Sequence, residues 1–290
     1  MSRFGLEDRL VEILRKVGKE DAYRPVEDYR KLLPEPDVGK QVHRFDFKPK
    51  SGLLRIVPLY DLHIGLKTVD EEVFDEIVDF IAADPDCVTI LGGDAVESAT
   101  RESIGLGMIE QKYHVQEQRR RVTEKLRPLA KAGKILGGLT GNHEMRVQRF
   151  NDDNPMAEIC YDLEIPYWGY SAYLKLVVND IPYHVFCHHG RSGATTRAGK
   201  INAALRLSQI AHADLYISGH THERLQIPEI IYEIDDATDR LVARKRVHVI
   251  AGSLPEYFGG YAEMSAYPPS VTGPVLIELS GTKKDIRVHL

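Results

Sequence analysis

A chain of 290 residues, 43% hydrophobic and 28% charged, has the make-up of an ordinary globular protein and is long enough to bury a substantial core. Its net charge of −5 excludes a general attraction to nucleic acid or to a membrane surface, while leaving room for a local basic patch. The three cysteines, Cys87, Cys160 and Cys187, are odd in number and unpaired by spacing, which excludes a disulfide scaffold and a zinc knuckle.

Taken in order, the chain opens with Leu6, Leu10, Ile13, Leu14 and Val17 at helical spacing, which predicts a short amphipathic helix over 4–18. A second short helix is expected from about Pro25 to Leu33, before the Pro34-Glu35-Pro36-Asp37 turn cluster. Residues 1–50 read as an N-terminal helical extension, and 51–290 as the main domain. The N-terminus carries scattered charges and no apolar signal core, and no apolar run approaches the ~20 residues of a membrane span. A cytoplasmic protein without a membrane role is therefore expected.

From Gly52 the pattern alternates. Strand-like runs at 53–60, 87–91 and 135–139 are separated by helical patterns at about 71–83 and 108–132. A helix over 155–164 follows, then strands at 173–178 and 183–187 joined by a hairpin at Asn179-Asp180. A helix at about 200–211 leads to a short strand at 215–217, and strands at 226–234, 241–251 and 275–279 close the chain. This order predicts a layered α/β domain with a mixed sheet. Pro58 lies inside the first run and removes a ladder donor there.

The runs end on chemistry. Asp61 and His63, Asp94, Asn142, His189, and finally His220 and His222 each directly follow an apolar run. Ligands gather at the carboxyl ends of strands in such folds. If strand geometry carries on past Tyr60, the side chains of Asp61 and His63 point the same way. Glycines adjoin four of the five groups, as Gly93, Gly141, Gly190 and Gly219, where they allow tight turns and close approach. Seven nitrogen and oxygen donors exceed one tetrahedral ion and suit two, with a carboxylate between them. The mixture favours manganese, iron or zinc over calcium.

Together the motifs Asp61-x-His63, Gly93-Asp94, Gly141-Asn142-His143-Glu144, His189-Gly190 and Gly219-His220-x-His222 resemble the signature of the calcineurin-like metallophosphoesterase superfamily, in order and in type, over residues 61–222. The resemblance implies a four-layer α-β-β-α sandwich with two mixed central sheets. It implies two divalent metal ions, manganese first, with iron, zinc, nickel or magnesium as the other candidates. Asp61, His63 and His222 would hold one ion, Asn142, His189 and His220 the other, and Asp94 would bridge them. His143 resembles the histidine that stabilises the transition state and protonates the leaving group. His189 is preferred over His188 because the family pattern places the histidine directly before glycine.

The expected activity is hydrolysis of a phosphodiester, nucleic acid included, by attack of metal-activated hydroxide with His143 assisting the leaving oxygen. Two alternatives stay open: a phosphomonoesterase acting on a protein or small molecule, and a catalytically silent metal-binding interaction subunit. Retention of His143 with all seven ligands argues against the latter. Arg146, Arg191 and Arg197 are candidate phosphate contacts, since guanidinium groups grip phosphate oxygens bidentately. The 190–199 segment, rich in glycine, serine and threonine, reads as a substrate flap. Glu97 and Glu144 read equally well as partners of ligand histidines or as helix-start acids. Arg119-Arg120-Arg121 alternates with acids and reads as an exposed, salt-bridged helix, with a nucleic-acid face as the minor reading. Tyr257 to Tyr261, with Tyr267, reads as loop packing or as a base-stacking wall. No oligomeric state follows, and a dimer stays open.

Overall fold

The computed structural model describes residues 41–290 apart from 101–102, 104–106 and 152. The two helices expected before residue 34 lie outside the described residues. Two mixed sheets face each other. The first is ordered β1 (Val42–Phe47), β5 (Ser171–Val178), β6 (Ile181–His188), β7 (Leu215–Ser218), β9 (Arg240–Ser253) and β10 (Gly273–Pro274), with β8 (Arg224–Asp235) also paired to β9. The second is ordered β12 (Ile286–His289), β11 (Leu276–Ser280), β2 (Leu53–Leu59), β3 (Cys87–Leu91) and β4 (Ile135–Gly138). Strands β2, β3 and β4 run parallel, as do β6, β7 and β9.

Between the sheets lies the main core. Leu54 and Ile56 of β2, Val88 and Ile90 of β3, and Leu174, Leu176, Val185 and Ile217 of the other sheet all point into it. The alternation along β5 is the cause: Ala172, Leu174, Leu176 and Val178 are buried at every second position. The outer face of the second sheet is covered by α1 (Glu71–Ala83), α2 (Val115–Lys131) and α4 (Pro155–Asp162). Helix α1 starts at Asp70, whose side chain accepts from the Glu72 amide, and buries Phe74, Val78 and Ile81 at helical spacing. The outer face of the first sheet carries a smaller cluster of Phe186, Leu207 and Tyr216, beside α5 (Arg197–Leu205). The result is the four-layer sandwich.

Several sequence expectations change in detail. Val42–Phe47, inside the stretch read as an N-terminal extension, is β1 and pairs in parallel with β5. Its alternating half-exposed pattern is that of an edge strand, without the apolar run that marks the central ones. The helix expected from 108 is a 3₁₀ turn at Gly107–Glu110 followed by α2 from Val115. Pro58 is accommodated because Arg55, Val57 and Leu59 direct their ladder groups toward β3, which leaves Pro58 facing β11, and that pairing ends at Ile56. The Asn179-Asp180 hairpin forms as expected, with both residues at positive φ. All three cysteines are buried free thiols. No helix among the described residues is long and apolar enough to cross a membrane.

At the end of the sandwich away from the strand-end motifs, the two sheets are tied by Tyr183 of β6. Its hydroxyl donates to the Ser280 carbonyl at 2.7 Å and accepts from the Asp285 amide at 3.0 Å. Tyr183→Phe removes the partner of both groups in a partly buried setting and is expected to destabilise the fold by about 1 kcal/mol. A lower urea midpoint with unchanged slope, and unaltered metal content, would be the signature.

Candidate metal centre

The seven donors converge on the seam between the sheets. Asp61 and His63 follow β2, Asp94 follows β3, and Asn142 opens α3 (Asn142–Asn151) directly after β4 and Gly141. His189 follows β6, and His220 and His222 follow β7. The expected reason for the Asp61–His63 alignment is replaced by another. The strand ends at Leu59, and Asp61, His63, Asp94, His220 and His222 all adopt positive φ, between 47° and 68°. Left-handed backbone is strained for such residues and concentrates where a site demands it. Two glycines are required by close approach: a Cβ at Gly141 would overlap the Asp94 carboxylate, and one at Gly219 would overlap that of Asp61.

Around Asp61 Oδ1 stand three imidazole nitrogens: His222 Nε2 at 3.6 Å, His63 Nε2 at 3.9 Å and His189 Nε2 at 3.9 Å. That oxygen is fully buried and has no hydrogen-bond partner. Its sister Oδ2 accepts from the His220 amide at 2.7 Å. Asp94 Oδ2 lies 3.3 Å from His189 Nε2 and 3.9 Å from His63 Nε2, between the two groups of ligands, while its Oδ1 accepts from the His143 amide. Asn142 Oδ1 lies 3.0 Å from His189 Nε2 and 2.6 Å from His220 Nδ1.

Three of the four rings are oriented by their other nitrogen. His63 Nδ1 donates to Glu97 at 2.8 Å, His189 Nδ1 to the Gly92 carbonyl at 2.9 Å, and His220 Nε2 to the Ser192 carbonyl at 3.0 Å. These bonds turn His63 Nε2, His189 Nε2 and His220 Nδ1 inward, the arrangement a metal ligand needs. Buried carboxylates, imidazole lone pairs and an orphaned oxygen fit divalent cations, in groups of Asp61, His63 and His222 and of Asp94, His189 and His220.

The electrostatics agree. Burial would raise the carboxyls of Asp61 and Asp94, but the neighbouring histidines outweigh it and hold both below the usual range, Asp94 the more strongly. Burial lowers His63, and lowers His220 with help from His189. His189 resists its burial and rises to about 10, because Asp94 and Asp61 face it. The imidazole of His143 is likewise raised despite burial, by Asp94 and Glu97.

Glu97 is the partner of two histidines: besides His63 it sits 3.3 Å from His143 Nδ1, which donates to the Glu97 carbonyl at 2.7 Å. Glu144 has a different task. It touches no ligand ring and accepts from the amides of Asp94, Ala95 and Gly141, locking two ligand loops together. Burial and the nearby Asp94 push it up to about 7. His188 turns away and accepts from the Gly190 amide, while its neighbour His189 enters the cluster.

The cluster floors a cavity of about 370 Å³, walled on another side by Tyr257, Tyr261 and Tyr267. Of the three candidate arginines only Arg146 lines it; Arg191 is exposed elsewhere, and Arg197 reaches out to Glu223 at 3.4 Å. Arg197 is near His189 in sequence, but α5 carries it away from the cavity. Lys200 also lines the cavity and is buried against Glu223 at 3.0 Å. The residue after His222 gave the one available signal, an acid next to a ligand. Arg119, Arg120 and Arg121 are all paired with acids, Glu158, Glu117 and Glu71 among them, so α2 is the salt-bridged helix expected.

No protein-family model and no curated protein matches the chain. Among solved structures it is similar to Vps29 of Entamoeba histolytica, crystallised with zinc, at 12% identity and a TM-score of 0.37 over 81% of this chain and 97% of that one. It is similar to a Streptococcus pneumoniae protein described as a predicted phosphoesterase, at 11% identity and a TM-score of 0.35 over 81% and 88%. A metallophosphoesterase from Sphaerobacter thermophilus gives 17% identity and a TM-score of 0.37 over 82% and 87%. Likenesses of this size carry no activity with them, and the functional reading stands on the side chains.

Asp94→Asn removes the charge between the two donor groups. Metal analysis of the purified variant is expected to show reduced content at both sites; a full complement would break the bridging assignment.

Proposed function

We propose that the seam cluster is a binuclear metal centre that hydrolyses a phosphodiester. The observation that carries this is the buried, unpartnered Asp61 Oδ1 with three imidazole nitrogens turned toward it, next to a second buried carboxylate, Asp94, that shares His63 and His189 with it. Asp61, His63 and His222 would hold one ion and Asn142, His189 and His220 the other, with Asp94 shared. Divalent ions bound there would lower the pKa of water toward neutrality and offset charge on the phosphoryl oxygens.

The remaining work falls to the chain itself. His143 is fixed by its Nδ1 bond to the Glu97 carbonyl, which leaves Nε2 facing the cavity, 3.7 Å from Asp94 Oδ2. Asp94 and Glu97 favour its protonated form. Arg146, one helical turn along α3, donates to that same Nε2 and to Ser103 Oγ. The Arg146 hydrogen bond and a proton on Nε2 exclude each other. A phosphate oxygen offers Arg146 another acceptor, and its departure frees Nε2 to carry the proton that the leaving oxygen takes. Substrate binding and readiness of the acid are thereby coupled. Glu97 holds His63 and His143 in one frame, so ligand and acid move together.

Two measurements test the reading. Chromogenic diester and monoester substrates are compared side by side with Mn²⁺ and with chelator. Diester turnover that disappears with chelator is expected; preference for the monoester would replace the reading with a phosphatase. His143→Ala should keep its metal content and lose about 10²–10⁴ in kcat, the range of a positioned general acid. Unchanged turnover in that variant would remove His143 from the acid role.

A further inference from the structure

The reaction centre occupies only one side of its cavity. At about 370 Å³ the space is of the size that takes a small organic ligand, well beyond a bare phosphate. The opposite side is built from the segment that follows β9. Leu254 donates its amide to the Asp61 carbonyl at 3.1 Å, and Glu256 to the Thr68 carbonyl at 2.9 Å, so this wall hangs from the metal-ligand loop itself. Tyr257 follows directly. Tyr261 and Tyr267 brace each other edge to face, with ring centres 5.8 Å apart. All three rings are half-buried and line the cavity.

Charge decides what fits there. Of the lysines and arginines among the described residues, only Arg146 and Lys200 line the cavity, and Lys200 is already paired with Glu223. The tyrosine side thus offers no free cation to a second phosphate. It offers flat π surfaces, with hydroxyls of Thr68, Ser253 and Ser270 on the same lining. A plain hydrocarbon ring would leave those hydroxyls unused; a heterocycle with polar edges would engage them.

Resting on the phosphodiesterase reading, we propose that the tyrosine wall is a nucleobase subsite, and that the substrate is a nucleoside phosphodiester with an unpaired base. The base stacks on the wall while its phosphodiester lies over Asp61, Asp94 and His143. Base–aromatic stacking tolerates any base, so the subsite selects for the presence of a base and not for its identity. A base inside a duplex stack cannot enter a cavity of this size without being extruded. The mild net charge and the paired arginines of α2 likewise provide no track for a duplex backbone.

The test compares three diesters with the same leaving group, the p-nitrophenyl esters of thymidine 5′-phosphate, methyl phosphate and phenyl phosphate. The thymidine ester is expected to exceed both others in kcat/KM by about tenfold or more, the worth of one stacked base. Tyr257→Ala and Tyr261→Ala should each pull that ratio toward one. Tyr257→Phe, which keeps the ring, should retain it, as should Phe258→Ala, whose side chain is exposed outside the lining. A phenyl ester as good as the thymidine ester, or a ratio unmoved by both alanine variants, would overturn the subsite. A dinucleotide and a single-stranded oligonucleotide identify the source of the base, and a duplex cleaved faster than its single strand would count against the proposal. Calorimetric binding of AMP and of phenyl phosphate to chelator-treated protein separates this idea from the activity. Tighter AMP binding that Tyr257→Ala abolishes supports the subsite even if no diester is hydrolysed, an outcome that would sink only the phosphodiesterase reading. Equal affinities would sink the subsite alone.

Discussion

Two carboxylates, Asp61 and Asp94, are buried side by side at the ends of adjacent parallel strands, and the architecture around them follows from that placement. An ionised carboxylate out of water is costly unless charge or hydrogen bonds compensate it. Here the compensation is divided. Backbone amides of His143 and His220 take one oxygen of each acid. The other oxygens are left to the imidazoles of His63, His189 and His222, of which His63 is oriented by Glu97 and His189 by the Gly92 carbonyl. Asp94 and Asp61 hold a proton on His189 against its burial, and a cation standing between the acids and the imidazoles would take over that compensating charge. A cluster of buried anions whose neighbouring nitrogens all turn inward is shaped for metal.

That arrangement is held at a conformational cost. Five of the donor residues sit in left-handed backbone, where each non-glycine costs about 1–3 kcal/mol. Such strain persists only where surrounding structure over-determines it. Glu144 supplies part of that determination by gathering the amides of two loops on one carboxylate, and its pKa near 7 marks how far it has been taken from water to do so. The rest comes from the strands, whose apolar side chains on both faces of the second sheet lock their ends in place.

The sequence revealed the centre because each donor follows an apolar run, and a buried strand followed by a polar residue is a local pattern. Its order along the chain was enough to group Asp61 with His63, whereas setting His189 apart from His188, which the structure turns away, needed the family resemblance that places the histidine directly before glycine. Long-range geometry was not legible. The backbone at Asp61 and His63 is left-handed where their amides bond to the Gly93 and Asp94 carbonyls of the next ligand loop, a long-range pairing that strand periodicity does not describe. Strand β1 was missed because an edge strand need not be apolar, and the α3 helix because its first residues read as a loop motif. Arg146 was separable from Arg191 and Arg197 only once the helices were in place: Arg146 lies one turn beyond His143, while α5 leads Arg197 outward. Glu223, buried between Lys200 and Arg197, looked like any acid after a histidine.

The centre also joins the two sheets. Asp61, His63, Asp94 and Asn142 come from one sheet, and His189, His220 and His222 from the other. The bonds among them cross the seam: His220 to Asp61, His189 to the Gly92 carbonyl, Tyr60 toward the Ile217 carbonyl. Sliding one sheet over the other would separate the donors, and the interdigitated core between the sheets resists such sliding because packed interiors deform little. The 255–270 segment, by contrast, hangs from the loop after β2 by backbone bonds and supplies none of the seven donors. On the proposed reading, the chemistry sits on donors locked between the sheets and the choice of substrate on a segment held to them through the backbone.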